Sequence, residues 1–162
     1  MSLLVRKINK AKWMQNDILS GEDVSADAIT NSLKTTDNTL SAWQVAGAEA
    51  IEDAVLAIVS SHKHLDTIDV VCLDPSSLES NGIMLQSNPG GTPVRDLIDR
   101  HIHICDLTYR TLGTVAEQIV HALKEGKDER YTKGKIKNLL KNAIKLRRLQ
   151  KDDLDESLRR KL

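Results

Sequence analysis

The chain reads as an α/β or α+β fold: a small sheet of three to four short strands packed by helices, followed by a helical, basic C-terminal part. Three observations predict this. Strand-like and helix-like segments alternate in the first half, helical periodicity dominates after Pro93, and the cations gather near the C-terminus. A length of 162 residues suits one domain with an appendage. We expect an α/β body at 1–126 and a basic helical segment at 127–162 that packs on the body instead of folding alone.

Leu3-Leu4-Val5 followed by Lys7-Ile8-Asn9 predicts a short first strand. Ser25 is a candidate N-cap for a helix ending near Lys34. Thr39 to Val45 alternates loosely and predicts a second strand. A helix follows Gly47, with Ile51, Ala54, Val55, Ile58 and Val59 on one face and Glu49, Glu52 and Asp53 in its early turns. Ile68 to Leu73 is a β-branched run between Asp66 and Asp74-Pro75, which predicts a strand hidden on both faces. Asn81-Gly82 marks a turn before a brief strand at Ile83-Met84-Leu85. Thr92 as N-cap and Pro93 as first helical residue predict a helix through Ile98, His101, Ile102 and Cys105. After a break near Asp106 to Gly113 the pattern resumes from Leu112 to Leu123. Glu125 to Glu129 reads as a polar connector. Ile136, Leu139, Leu140, Ala143 and Ile144 mark an amphipathic helix, and Leu154, Leu158 and Leu162 a last short one. The expected core joins Val55, Ile58, Val70, Cys72, Ile98, Ile119 and Val120, with the strand at 68–73 central.

Composition narrows the function. Hydrophobic residues are 40% and charged residues 28%, the balance of a folded globular protein. No apolar run approaches the roughly 18 residues of a membrane span, and Met1 to Trp13 lacks the apolar core of a secretory signal, so a cytoplasmic protein is expected. Cys72 and Cys105 then read as buried free thiols. There is no Phe, and only Trp13, Trp43, Tyr109 and Tyr131 carry aromatic rings. That shortage disfavours single-stranded nucleic acid as ligand, since such binders stack bases on aromatic side chains.

Net charge is zero but strongly segregated. Residues 1–20 carry net +3, residues 21–110 net −9 and residues 111–162 net +6. Arg130 to Lys151 holds nine cations and no acid. Within it Lys133, Lys137, Lys141, Lys145 and Arg148 form a stripe at steps of four and three, opposite the apolar face. A solvated face, or a match between the basic tail and the acidic body, for instance with Glu49, Glu52 and Asp53, is the ordinary explanation for such a row. The absence of acids over 22 residues points further, to an acidic protein partner or a phosphate backbone.

Other constellations were weighed for chemistry. His101, His103 and Cys105 have good zinc-ligand types and would converge on one face of a strand, but on the expected helix His103 points about 200° from His101 and the three diverge. They are secondary metal candidates, and no cofactor is expected. His62-Lys63-His64 reads as a helix terminus that prefers cations. The Ser87 to Pro93 loop could cradle phosphate, but neither nucleotide fingerprint is present and its prolines lack N–H donors. Hydrolase elbow, zinc-protease and Cys-x-x-Cys motifs are absent.

The sequence therefore predicts a small, non-enzymatic binding or regulatory protein acting through a basic C-terminal helix on an acidic protein partner. Nucleic-acid binding by the same helix is the first alternative. A metal-dependent hydrolase using His101, His103 and Cys105 is the second. Membrane association is not expected, and self-association is left open.

Overall fold

The computed structural model describes residues 1–15 and 23–162. In chain order it comprises strand β1 (Leu3–Ile8), helices α1 (Lys10–Trp13) and α2 (Ala26–Ser32), and strand β2 (Leu40–Val45). Helix α3 (Ile51–Val59), strand β3 (Ile68–Leu73), helix α4 (Pro75–Ser80) and strands β4 (Met84–Ser87) and β5 (His101–Cys105) follow. The chain continues through helix α5 (Tyr109–Lys124), strand β6 (Asp128–Tyr131) and helices α6 (Lys133–Lys145) and α7 (Glu156–Arg159). Every strand pair is antiparallel, and the order across the sheet is β4-β5-β2-β1-β3-β6. No described helix is long and apolar enough to cross a membrane.

The fold class is mixed α/β, but the sheet has six strands where three to four were expected. It is covered on both sides. Val5, Trp43, Val45, Ile68, Val70 and Cys72 face one apolar layer with α3 and α6, which also takes Leu149, Leu154 and Leu158. Leu4, Ile8, Leu40, Val71, Leu73, Ile102 and Ile104 face the other, with Trp13, Ala28, Leu78 and α5. This is why β3 is buried at all six positions although its sheet is antiparallel. β3 is next to the edge, not central. The expected core is split accordingly: Val55, Val70 and Cys72 lie on one side, and Ile119 and Val120 on the other. Ile58 is half-buried, and so is Ile98, because Leu97 takes the inward position there.

Local chemistry explains most boundaries. Ser25 accepts from Ala28 N and caps α2, and Asp74 accepts from Ser76 N ahead of Pro75. Thr108 and Thr111 cap α5 reciprocally. Gly82 supplies the positive φ, 76°, of the expected turn.

Two expectations fail at the sheet. The helix from Thr92 through Cys105 is instead a 3-10 turn at Arg95–Arg100 followed by strand β5. Thr92 precedes the turn, whose N-cap is Val94, and the buried Thr92 hydroxyl accepts from Val94 N at 3.3 Å and meets Ser60 Oγ at 3.1 Å. His-Ile-His-Ile-Cys satisfies a period of two as well as one of 3.6. The strand wins because β2 and β4 take its two edges while Ile102 and Ile104 enter the second apolar layer. The polar connector, for its part, runs into strand β6. An edge strand needs no apolar alternation, and β6 is held by β3 and by Lys10–Asp128 and Arg130–Asp69 ion pairs at 2.5 and 3.4 Å.

Candidate functional site

The zinc-ligand types lie on β5, not on a helix. They share one strand face as a ladder, with the His101 and His103 rings edge-on and their centroids 5.0 Å apart. His101 Nδ1 lies 2.8 Å from Asn88 O, and Asn88 Nδ2 donates to His103 Nε2 at 3.1 Å. The Cys105 thiol meets Gln86 Oε1 and His103 O, and burial pushes its pKa up. A protonated thiol is a poor ligand and a poor nucleophile. Among the described residues no three His, Cys, Asp or Glu side chains are grouped to hold a metal ion. The Ser87 to Pro93 loop is also occupied with structure: Asn88 N and Gly90 N donate to His101 O and Ile98 O.

The stripe on α6 divides. Ile136, Leu140 and Ala143 are buried, and the helix packs there against α3. Arg148 is engaged within the fold. Its guanidinium forks between Asp53, 2.9 Å away, and Asp96, 2.6 Å away, and the Asp96 hydrogen bond raises its already high pKa. Lys133 lies 4.0 Å from Asp66. Lys141 and Lys145 are exposed and Lys137 is half-buried, and none of the three has an ion-pair partner among the described residues. Leu146, 61% exposed, caps the same helix end.

A third place emerges only in three dimensions. β1 and β2 pair from Leu3–Val45 to Val5–Trp43 and then part. Beyond that point Arg6 to Ile8 pair only with β3, and Leu40 to Ala42 only with β5. The Arg6 guanidinium spans the gap, donating to Ser41 O of β2 and Ser32 O of α2. A cleft of about 770 Å³ opens there, within the range of small-molecule sites. Its walls include Trp43, Ile58, Ser61 and His62 on one side of the sheet and Arg6, Asp69 and Arg130 on the other.

The electrostatics of this cleft are unusual. Burial lowers the Arg6 pKa to about 10. Arg6 Nε and Asp69 Oδ1 are the two buried side-chain polar atoms without a hydrogen-bond partner among the described residues. An unsatisfied buried polar atom costs about 1–3 kcal/mol; Asp69 Oδ1 has the Arg130 guanidinium 3.4 Å away, so the cost falls on Arg6 Nε. Lys7 joins Arg6 and Arg130 in the lining, which gives three fixed cations against the single carboxylate of Asp69. His62 has its pKa lowered by burial and then by Lys7, and His101 by burial. No sequence motif marks this cleft. The available signal was Arg6, a cation at an inward-facing position of β1 between Leu4 and Ile8.

These histidines set a pH dependence. A neutral imidazole in the fold whose unfolded pKa is near 6.5 contributes stability that is present above that value and lost as pH falls through it toward the lower folded pKa. The melting temperature should therefore fall between pH 7.5 and 5.5, a window in which carboxylates change little. His101→Gln should flatten the curve. A melting temperature constant over this window would mean that both rings protonate freely in the fold.

Fold and site together define a three-layer protein with a wholly antiparallel central sheet split at one end by a polar cleft. No protein-family model matches this chain, and neither a curated protein nor a solved structure matches it.

Proposed function

We propose that the protein is a non-enzymatic binding protein whose partner surface is the lysine row of α6, with an acidic protein as partner. The observation that carries this reading is the row Lys137, Lys141, Lys145, without an ion-pair partner among the described residues and placed beside exposed Leu146. Like charges four apart on a helix repel, so the row is not explained by helix stability. The lysine row offers a positive patch complementary to an acidic surface, and exposed Leu146 beside it offers an apolar contact. A phosphate backbone fits less well. It is long and uniformly negative, and Asp152, Asp153, Asp155 and Glu156 follow close behind the helix. Regulation, localisation and self-association of the protein belong to this proposal and not to the fold.

The test is charge reversal at all three lysines, Lys137→Glu, Lys141→Glu and Lys145→Glu. Each substitution should change stability by no more than about 0.5 kcal/mol, because the sites are at the surface. Affinity capture with the wild type should retain a salt-sensitive acidic protein that survives nuclease treatment and is lost with the triple variant. Retention abolished by nuclease would assign the row to nucleic acid. Capture unaffected by the triple substitution would remove the row from function altogether.

A further inference from the structure

We infer that the cleft at the split between β1 and β2 binds a small organic phosphate, with the phosphate group seated near Lys7 and His62 and its apolar part against Ile58 and the edge of Trp43. This goes beyond the α6 surface and does not depend on it.

Four features carry the inference. The cleft is a break in the sheet itself: strands that could pair for three more residues do not, and a guanidinium bridges them instead. Its fixed charges are Arg6, Lys7 and Arg130 against Asp69, which leaves a net attraction for a dianion in a protein whose overall charge is zero. A buried donor of the cleft, Arg6 Nε, has no hydrogen-bond partner among the described residues, whereas Asp69 Oδ1 has the Arg130 guanidinium 3.4 Å away. Finally, Lys7 and the half-buried His62 both line the cleft, so a phosphate seated there meets a fixed ammonium and an imidazole whose N–H can donate to it. Trp43 and Ile58 add an apolar wall on the same side of the sheet as Lys7, so an ester carrying a hydrocarbon part gains over the bare anion. A carboxylate, with one charge and fewer acceptor oxygens, satisfies less of this lining.

The probes are phenyl phosphate, inorganic phosphate and benzoate, titrated by calorimetry into the full chain at pH 7. Phenyl phosphate should bind about tenfold more tightly than either of the others, the effect of one further charge-assisted or apolar contact. Lys7→Gln should weaken it about tenfold with an unchanged melting temperature, and Lys7→Arg should restore it. Backbone and indole NMR shifts should move at Trp43 and His62 and leave Lys137 to Lys145 still. Three results overturn the inference: no saturable binding of phenyl phosphate at millimolar concentration, Lys7→Gln binding as well as the wild type, or shifts confined to α6. The last would place anion binding on the partner surface instead.

Discussion

Ile104→Asp should destabilise the protein by about 4 kcal/mol, enough to unfold much of the population of a domain of ordinary stability. Ile104 is fully buried in the middle of β5. Its cross-strand neighbours are Leu40 on β2 and Leu85 on β4, and its own face looks into the layer under α5. No cation stands across either strand to receive the new carboxylate, so it must be buried unpaired or stay protonated. Chemical denaturation read by far-UV circular dichroism measures the loss. A variant that keeps wild-type stability would mean that the segment is not a paired inner strand, and the helical reading of 93–105 would return.

Gly90→Ala should cost about 1–3 kcal/mol and disturb the cleft, while Gly91→Ala one residue on should cost less than about 0.5 kcal/mol. A Cβ at Gly90 would stand 2.4 Å from Trp43 Cη2 and 2.8 Å from His101 Cβ. Neither can withdraw easily. Trp43 is only 8% exposed, and its ring meets the His101 ring edge-on with centroids 5.0 Å apart. A Cβ at Gly91 meets nothing within 4 Å. The pair thus separates close packing from any general effect of losing a glycine. Thermal melting gives the magnitude, and tryptophan fluorescence should shift for the Gly90 variant alone. Equal small effects at both positions would show that the loop moves aside and does not clamp Trp43.

The α6 stripe shows where pattern reading reaches its limit. Its spacing alone separates the buried residues Ile136, Leu140 and Ala143 from the lysines, because the period of a helix decides which side chains share a face. It does not reveal that Arg148, the last member of the stripe, is held by Asp53 and Asp96, which lie 95 and 52 residues away. Charge segregation points to pairing between the basic tail and the acidic body, with Asp53 among the candidates, but which cation is held follows from how the helices dock.

What the sequence by itself determined is local. The β3 run, the Ser25 and Asn81-Gly82 signals, the α3 and α6 faces and the mixed α/β class all follow from side-chain period, capping and turn chemistry within a few residues. Tertiary structure alone decided the rest. His101 to Cys105 could have been helix or strand, and two open edges plus an apolar layer made it a strand. Asp128 to Tyr131 has no strand pattern, and the exposed edge of β3 made it one. The cleft needs Lys7, His62 and Trp43 at one place, and they come from three segments that meet only because β1 and β2 part after Val5. Local signals act through the free energy of a few neighbouring dihedrals and caps. Sheet order, edge pairing and clefts are set by which distant surfaces exclude water together, and that is a property of the folded whole.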